Sequence, residues 1–471
     1  MKPFKTIDAE DIAAFEAILP GRVLAGDAIP EDYDHDEMTE YGHFPPMAVL
    51  LCENTAEIAA ALRYCDAHNI AVTPRGAGTG LCGGCVATEG GLILSTERMK
   101  RVIEVDVQNM AATVEPGVLL MEFPKALEGT GLFYPPDPGE KSATLGGNAM
   151  TNAGGMRAVR YGVTRDYVLG MEVVLADGEI LTLGGKNIKN ASGYSLLDLM
   201  TGSEGTLGVL TRVTVRLIPE PAENVSVLAP FQDIDRCIEA VPHMLACGEP
   251  TAVEFMQKGV IEAAEAYLGK QFPDKSAEAY LLIRLDGPSR AALEPALEQV
   301  AGQLLSLGAE DVLLADTDER KAAIWDARGA FLEAINSSTP SMDECDVVVP
   351  RDQIARFVRK SVEIGGRLGI RIQSFGHAGD GNLHVYACKD ALPGGEWEAK
   401  RAAVMDALYT EARALGGEVS GEHGIGHAKV GFLRQSVGET QMRLMRGIKE
   451  VFDPKGILNP GKVVGFFPLE M

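Results

Sequence analysis

One short turn constrains the fold of this chain more than any other feature. Asp380-Gly381 is a dipeptide typical of a tight hairpin turn, and it lies between two apolar runs. The chain is therefore expected to reverse there and to bring His377 and His384 together. Glu422 follows in a second glycine-rich turn. Because two neutral imidazoles and a carboxylate suit Zn, Mn or Fe, the pattern predicts a divalent metal bound by His377, His384 and Glu422.

His423, directly after Glu422, is the expected base. An imidazole beside a Lewis acid can take the proton of an alcohol. The competing interpretation is that these histidines are structural residues, as single histidines at strand ends commonly are. Clustering of loop histidines with a carboxylate favours the functional interpretation. For His427 both the functional and the structural interpretation remain open.

The net charge of -24 restricts the classes of partner. No block of lysine or arginine is present to neutralise phosphates, so binding to nucleic acid or to an anionic membrane surface is not expected. The N-terminus lacks an apolar signal core, and no apolar run approaches the ~18 residues of a membrane span, so direct membrane insertion is not expected either. Eight scattered cysteines favour a reducing cytoplasm over a secreted disulfide framework. Any membrane association would go through a partner.

A glycine-rich run covers residues 74–84. Gly78, Gly80 and Gly83 satisfy the Gly-x-Gly-x-x-Gly spacing of a dinucleotide site, but that site requires a helix directly after the glycines. Here the chain continues into Leu92–Ser95, which has the pattern of a strand. A Rossmann site is therefore excluded, although a glycine-dense loop between strands can still hold a pyrophosphate on its backbone amides. A plain flexible loop is the alternative.

Two further runs of small residues cover 142–155 and 202–209. Because they lack large side chains, their backbone can lie directly against a flat ligand. The first run also offers hydroxyl and amide groups that can hydrogen bond to such a ligand. They belong to Thr144, Asn148, Thr151 and Asn152.

Hydrophobic periodicity gives a coarse map of the rest of the chain. It predicts helices over 55–68 and 119–127 and a hairpin around Asp177-Gly178. After Pro221 the pattern changes to alternating strands and helices, so a domain boundary is placed there.

Six segments carry a resemblance to a known family: Pro74–Gly84, Gly146–Gly155, Gly202–Val209, His377–His384, Ser420–Gly424 and Asn459–Lys462. Together they resemble the flavin-dependent 2-hydroxy-acid dehydrogenases of the vanillyl-alcohol-oxidase type. That family includes D-lactate and D-2-hydroxyglutarate dehydrogenases and the D subunit of glycolate oxidase. The resemblance implies an α+β, two-domain flavoprotein with a PCMH-type FAD-binding domain and an FAD-linked oxidase C-terminal substrate domain. The corresponding limits are 1–220 for FAD binding, 221–435 for substrate and metal, and 436–471 for a segment that returns to the FAD domain.

The resemblance also implies noncovalent FAD. The implied cofactor-binding residues are Pro74, Arg75, Gly76, Ala77, Gly78, Thr79, Gly80, Leu81, Ser142, Thr144, Gly147, Asn148, Thr151, Asn152, Gly154, Gly155, Glu204, Gly208, Val209 and Asn459. It further implies a metal, usually zinc, on His377, His384 and Glu422. His423 is then the base, and Asn382 lies near the substrate.

Arg328 matches the arginine that pairs with the substrate carboxylate in several members of the family, a role that suits a bidentate guanidinium. Two departures concern the substrate. Leu332 stands where some relatives carry a hydroxyl residue, and Glu344 stands where they carry a lysine. Both argue against a second substrate carboxylate and favour a small monocarboxylate, either D-lactate or glycolate.

The implied reaction oxidises the 2-hydroxyl group. Arg328 binds the substrate carboxylate, the metal polarises the hydroxyl, His423 takes its proton, and the C2 hydride passes to flavin N5. The sequence offers no iron–sulfur ligands and no nicotinamide site for reoxidation, so an electron-transferring flavoprotein or an iron–sulfur subunit is the expected acceptor. Two other classes stay open here: a zinc-dependent hydrolase that uses the same ligands, and a noncatalytic flavin-binding subunit.

Overall fold

The computed structural model describes residues 3–465. Within that range the helices are α1 Ala9–Ile18, α2 Thr55–His68, α3 Phe123–Leu127, α4 Leu145–Thr151, α5 Ala158–Tyr161, α6 Leu196–Met200, α7 Ile234–Glu239, α8 Val241–Ala246, α9 Lys258–Leu268, α10 Arg290–Ser306, α11 Asp318–Gly329, α12 Phe331–Ser337, α13 Ile354–Leu368, α14 Gly394–Ala414 and α15 Val430–Phe452. The strands are β1 Val23–Ala25, β2 Ala48–Leu51, β3 Val72–Arg75, β4 Leu92–Ser95, β5 Val102–Asp106, β6 Ala111–Val114, β7 Leu132–Phe133, β8 Val168–Val174, β9 Ile180–Gly184, β10 Val209–Arg216, β11 Ile218–Pro219, β12 Glu223–Phe231, β13 Ala252–Gln257, β14 Ala279–Gly287, β15 Leu313–Ala315, β16 Met342–Val348, β17 Arg371–His377 and β18 Asn382–Cys388.

Two compact units divide the described chain. Among the described residues the first comprises 3–153, 163–220 and 423–465, and the second comprises 154–162 and 221–422. The domain limits predicted from the sequence stay a prediction. Residues 466–471 of the predicted C-terminal segment lie outside the described residues.

The first unit contains a four-stranded sheet of order β1-β2-β4-β3. Its strands β2, β4 and β3 are parallel, and α2 connects β2 to β3. The Asn54 side chain caps α2 by accepting a hydrogen bond from the Glu57 amide at 3.0 Å. Ile58, Leu62 and Cys65 of α2 are buried, at the four- and three-residue spacing of one helix face. The predicted helix over 55–68 is therefore confirmed, as is the predicted strand after the glycine-rich run, β4.

A second sheet in this unit has the order β5-β6-β10-β8-β9 and is antiparallel throughout. The predicted hairpin around Asp177-Gly178 is confirmed as β8 and β9. Gly178 has a φ of +81°, and a Cβ there would lie 2.5 Å from the carbonyl oxygen of Ala59, so the turn requires glycine. The hairpin forms one edge of this sheet.

Two local expectations need correction. The predicted helix over 119–127 is limited to α3, which begins only at Phe123. The small-residue run 142–155, for which no secondary structure was predicted, contains the helix α4. Thr144 caps α4 by accepting a hydrogen bond from the Gly147 amide at 3.0 Å. Glycines lower helix propensity, so the sequence pattern did not predict α4. The helix is stabilised instead by its N-cap and by the packing of its buried residues.

The second unit is built on a seven-stranded sheet of order β15-β12-β14-β13-β17-β18-β16. The predicted reversal at Asp380-Gly381 is confirmed, because β17 and β18 form an antiparallel hairpin around it. Strand β16 pairs with β18, and β13 pairs with β17. Of the predicted metal ligands, His377 and His384 lie on these strands, and Glu422 lies in a turn outside them.

Candidate functional site

The β17–β18 hairpin brings His377 and His384 together in the second unit. His377 ends β17, and His384 lies on β18 opposite Phe375. The two ring centroids are 5.4 Å apart with the ring planes perpendicular, and both histidines are buried. The sequence therefore predicted the meeting of these two imidazoles correctly.

Glu422 completes the predicted ligand set. Its Oε1 lies 3.3 Å from Nε2 of His377 and 3.3 Å from Nε2 of His384. One ligand atom from each of the three residues falls within 4.8 Å of the others. Two nitrogens and one carboxylate oxygen that converge in this way suit a borderline divalent cation.

Carboxylates also face the opposite ring nitrogens. His377 Nδ1 lies 2.8 Å from Oε1 of the fully buried Glu254, and His384 Nδ1 lies 3.3 Å from Oε1 of the buried Glu344. For His377, a carboxylate hydrogen-bonded at Nδ1 fixes the tautomer that leaves Nε2 as the metal-binding atom and makes that nitrogen a stronger ligand. His384 has a carboxylate near its Nδ1 atom, but Oε1 of Glu344 accepts its hydrogen bond from the Tyr386 hydroxyl at 2.7 Å.

The charge balance of this pocket favours a cation. Burial alone would lower the pKa of His377, but the facing carboxylates Glu254 and Glu422 raise that pKa well above its usual value. For Glu422, burial would raise the pKa, but His377 and His384 hold it well below its usual range. The pocket thus attracts positive charge between the two histidines and Glu422.

Asp346 positions the turn that carries Glu422. Its Oδ2 accepts hydrogen bonds from the Ser420 hydroxyl at 2.7 Å and from the amides of Gly421 and Glu422 at 3.1 and 3.2 Å. Its Oδ1 accepts from Nδ2 of Asn382 at 2.7 Å. Asn382, the residue predicted to lie near the substrate, is buried and holds Asp346 in the described structure.

Arg328 lies in the last turn of α11 and is buried in the same unit. Its Nε donates to Oε2 of Glu254 at 2.8 Å, and its Nη2 lies 2.7 Å from the same oxygen. The guanidinium carbon is 4.5 Å from the ring centroid of Phe375, so the planar group also stacks on an aromatic face. Glu254 therefore connects Arg328 to His377, a link that the sequence analysis did not predict.

The three glycine-rich runs converge in the first unit. A Cβ at Gly76 would lie 2.6 Å from Oγ1 of Thr144, which places the first run against the second. The amide of Glu204 donates to the Met150 carbonyl at 2.8 Å, which joins the third run to the second. A Cβ at Gly205 would lie 3.0 Å from Pro74, which joins the third run to the first.

Two buried amide side chains at this convergence present polar atoms without a hydrogen-bond partner among the described residues. They are Nδ2 of Asn148 and Oδ1 of Asn459. The other amide atom of Asn459, Nδ2, donates to the carbonyls of Gly84 and Glu204 at 2.7 Å each. Buried orphan atoms of this kind need a partner, and a polar cofactor edge supplies one.

The loop between β3 and β4 also offers backbone donors. Within residues 3–465, the main-chain amides of 76–81 donate no hydrogen bond to another residue. This stretch contains the predicted residues Gly76, Ala77, Gly78, Thr79, Gly80 and Leu81. A run of unsatisfied amides fits a pyrophosphate group.

Asp36 and Arg75 hold this loop from behind. Oδ2 of the buried Asp36 accepts from the Gly83 amide at 2.6 Å. The Arg75 guanidinium donates to the carbonyls of Asp32 and His35 at 2.5 and 2.9 Å, so its charged group makes hydrogen bonds within the protein. Burial raises the pKa of Asp36 to about 6. Sequence reasoning missed Asp36, because an acidic lead-in gave it no distinguishing pattern.

Glu204 supports the chain after His423. Its carboxylate, buried in the first unit, accepts from the amides of Ile425 and Gly426 at 2.8 Å each. Burial raises its pKa. His423 itself is partly buried in the turn that precedes these amides.

The remaining predicted cofactor residues take several positions. Ser142 donates its hydroxyl to Glu140 at 2.6 Å, and Oδ1 of Asn152 accepts from the Arg165 amide at 2.9 Å. Thr151 donates to the carbonyl of Gly147 within α4 at 3.1 Å. Gly208 directly precedes β10, which begins at Val209, and the Val209 side chain packs in the hydrophobic core.

Gly154 and Gly155 belong to the second unit. A Cβ at Gly154 would lie 2.7 Å from Oε2 of Glu422. Gly155 has a φ of +125°, a conformation that L side chains rarely adopt. The structure therefore places Gly154 against the carboxylate of the histidine cluster.

Two family profiles match this chain. "FAD binding domain" matches residues 46–184, and "FAD linked oxidases, C-terminal domain" matches residues 220–463, which is more than half of the chain. The chain belongs to the FAD-linked oxidase family. This oxidase is 48% identical to a D-lactate dehydrogenase of Anaerostipes hadrus over 98% of both chains. It is also 40% identical to glycolate oxidase subunit GlcD of Bacillus subtilis, over 92% of this chain and 91% of that one.

Solved structures confirm the fold of the oxidase. p-Cresol methylhydroxylase with bound substrate aligns over 100% of both chains with a TM-score of 0.81 at 18% identity. The 4-ethylphenol oxidase of Gulosibacter chungangensis aligns over 99% of both chains with a TM-score of 0.79 at 20% identity. The predicted α+β architecture of the vanillyl-alcohol-oxidase type, with its PCMH-type FAD-binding domain, is therefore confirmed.

These findings decide the class of the protein. It is an FAD-dependent 2-hydroxy-acid dehydrogenase, as predicted, and FAD is its cofactor. The zinc-hydrolase and noncatalytic-subunit alternatives are set aside. Within residues 3–465, no helix combines the length and the apolar character needed to cross a membrane.

Proposed function

We propose that the oxidase converts D-lactate to pyruvate and that a divalent metal, with zinc as the first choice, takes part in the reaction. Mn or Fe is the alternative metal, and glycolate is the alternative substrate. The observation that carries the proposal is the histidine pair whose Nε2 atoms both face Glu422, with carboxylates near both Nδ1 atoms. The D-lactate dehydrogenases of Anaerostipes hadrus and Archaeoglobus fulgidus, the latter 42% identical, support the substrate.

His377, His384 and Glu422 hold the metal, and Glu254 keeps the His377 imidazole in the correct tautomer through its hydrogen bond with Nδ1. Bound there, the metal supplies a Lewis acid that polarises the 2-hydroxyl group of the substrate. Asp346 keeps Glu422 in place through the amides of its turn.

Arg328 binds the substrate carboxylate. Arg328 contacts Glu254 through Nε and Nη2, and Nη1 takes part in neither of these two contacts. The stacking on Phe375 keeps the guanidinium plane in one orientation, which favours planar recognition of a carboxylate. Glu344, fully buried and 3.3 Å from His384, disfavours a second carboxylate on the substrate by like-charge repulsion.

His423 takes the proton from the 2-hydroxyl group, and Asn382 acts beside the substrate through its hold on Asp346. FAD, held noncovalently, supplies the hydride acceptor. The backbone of 76–81, together with Asn148 and Asn459, holds the cofactor, and the other predicted residues of the three small-residue runs remain proposed cofactor contacts.

The electrons leave the flavin to an electron-transferring flavoprotein or an iron–sulfur subunit. The net charge of -24 suits a partner with a basic docking surface. We place the enzyme in the cytoplasm, with any membrane association through that partner. Reduction of a purified electron-transferring flavoprotein by D-lactate and the oxidase would support this acceptor, whereas reduction only of a quinone through an iron–sulfur subunit would support the other.

The visible spectrum of the purified protein tests the substrate proposal. The flavin band is recorded anaerobically before and after addition of D-lactate, with L-lactate, glycolate and D-2-hydroxyglutarate as parallel samples. We expect D-lactate to bleach the band fastest and D-2-hydroxyglutarate to leave it unchanged. Faster bleaching by glycolate would show that glycolate, and not D-lactate, is the substrate. Rapid bleaching by D-2-hydroxyglutarate would contradict the role given to Glu344.

A further inference from the structure

A second group of possible metal ligands lies in the first unit, in the segment before β2. It consists of Asp34, His35 and His43. The amide of Phe44 donates to the carbonyl of Asp34 at 2.7 Å, which closes the intervening loop and brings His43 beside Asp34. The meeting of these residues is therefore fixed by the backbone and not by a chance contact of long side chains.

The three side chains converge on one carboxylate oxygen. His43 Nδ1 lies 2.8 Å from Oδ1 of Asp34, and His35 Nε2 lies 4.0 Å from the same oxygen. The two imidazole centroids are 5.2 Å apart at an angle of 73°. One ligand atom from each residue falls within 4.8 Å of the others, as in the His377 cluster.

A hydrogen bond prepares His35 for metal binding. Its Nδ1 lies 2.7 Å from the carbonyl oxygen of Asp36. A carbonyl can only accept, so Nδ1 carries the proton and Nε2 of the neutral ring carries the lone pair. That lone pair is on the nitrogen nearer to Asp34. A backbone carbonyl at the opposite nitrogen is a common support for a metal-bound histidine.

The exposure of the group provides a path for an ion. The side chains of Asp34, His35 and His43 are 15, 25 and 51% exposed. Three protein ligands leave coordination positions for water, and two imidazoles with one carboxylate select borderline ions over Mg²⁺ or Ca²⁺. The strongly acidic chain raises the local concentration of any cation.

We propose that Asp34, His35 and His43 form a second binding site for a divalent transition-metal ion such as Zn²⁺, separate from the His377 site. The segment that carries it braces the glycine-rich loop. The carbonyl of His35 accepts from Arg75, and Asp36 accepts from the Gly83 amide. A metal ion on this segment therefore stabilises the support of the flavin loop and does not depend on which hydroxy acid is oxidised.

The number of zinc ions per protein tests the proposal. The holoenzyme is depleted of metal with a chelator, its flavin content is checked, and it is titrated with Zn²⁺ in competition with a chromophoric chelator. We expect two zinc equivalents in the wild type and the loss of one equivalent in His43→Gln and in His35→Gln. His68→Gln is the matched control, because His68 is an exposed histidine stacked on Tyr64, and it should lose none.

A variant of the other cluster assigns the remaining equivalent. His384→Gln should lose the second zinc ion and keep the one at His43. Equal zinc content in wild type and His43→Gln would overturn the proposal, as would a dissociation constant weaker than about 1 mM, which marks an adventitious ion only. Should His43→Gln fail to fold, His35→Gln provides the same comparison. Zn²⁺ should also raise the melting temperature of His384→Gln but not that of a His43→Gln/His384→Gln double variant.

Discussion

The flavin region and the histidine cluster are built on opposite principles. The flavin region consists of backbone and small residues, and its close contacts leave no room for a Cβ at Gly76 or Gly83. The histidine cluster consists of large charged side chains on buried strands, with Glu254 fully buried beneath His377. The first region therefore depends on shape, and the second depends on balance of charge.

This difference predicts different failures. A side chain added in the flavin region should displace the loop and release the cofactor, while the chemistry of the pocket stays intact. Removal of a charge from the histidine cluster should leave the flavin bound but stop the reaction. The remaining buried charge then lacks its partner, which is costly, so the pocket loses the arrangement that the reaction needs. The two regions can thus be separated by measuring flavin content and turnover together.

The largest effect is expected for His384→Gln. A Lewis acid supplies several kcal/mol of transition-state stabilisation, so turnover should fall at least about 1000-fold. The flavin absorbance per protein should stay at the wild-type value. The control is His243→Gln, which changes an exposed histidine of the same unit and should leave turnover unchanged. A loss of less than about tenfold in His384→Gln would remove the histidine pair from the mechanism.

Glu254→Gln should give the next largest effect. The substitution removes the charge that faces both His377 and Arg328, and loss of such a supporting carboxylate costs about 10- to 100-fold in metal affinity or activity. Zinc affinity and kcat are measured in the same preparation. Glu262→Gln, an exposed glutamate on the neighbouring α9, is the control. Wild-type zinc affinity in Glu254→Gln would show that the imidazoles do not need this carboxylate.

Gly83→Ala tests the flavin region. A Cβ there would lie 2.2 Å from the His427 ring, and Gly83 also has a φ of +67°. Either the His427 ring or the loop must shift, and the positive φ adds backbone strain, so we expect FAD affinity to fall at least about 30-fold, or 2 kcal/mol. Gly90→Ala has the same strain at φ +65° but only Met47 at 4.0 Å, so it should lose about 1 kcal/mol of stability and keep its flavin. Equal flavin content in the two variants would contradict the shape argument.

The smallest effect concerns pH and Asp36. Burial raises the pKa of this carboxyl from 3.8 to about 6 in the folded protein. Between about pH 4 and pH 6 the folded state therefore holds a proton that the unfolded state has lost, and stability falls as pH rises through that window. Relative to Asp36→Asn, the wild type should lose about 1 to 2 kcal/mol of unfolding free energy across it. Denaturant titrations at both ends of the window measure this difference, and a constant difference would refute the buried, protonatable Asp36.

The sequence predicted most of what depends on local pattern. Helix α2 has a strong cap and a clear apolar face, and the β17–β18 hairpin has a strong turn dipeptide, so both were found. Helix α4 was missed because glycines obscure helical periodicity. Its existence depends on tertiary burial of Leu145 and Asn148, which no local pattern reveals.

The same limit applies to the site. His377, His384 and Glu422 were predicted to lie together because their glycine-rich turns are unusual, and their side chains do converge. Glu254 and Asp346 were not, although Glu254 is the one acidic residue in the mainly apolar strand β13, a signal that could have marked it as a buried charge; Asp346 shares β16 with Asp343 and Glu344 and has no such mark. Their partners lie far away in sequence, and only the sheet order β13-β17-β18-β16 shows that the carboxylates meet these histidines.

The most direct test of the account is the rate at which D-lactate bleaches the flavin in a single anaerobic turnover. The rate is compared between metal-depleted and zinc-restored enzyme, with zinc and flavin content measured in both. We expect depletion to leave the flavin band intact and to abolish bleaching, and zinc to restore bleaching. Equal bleaching rates in enzyme shown to lack metal at His377, His384 and Glu422 would contradict the account.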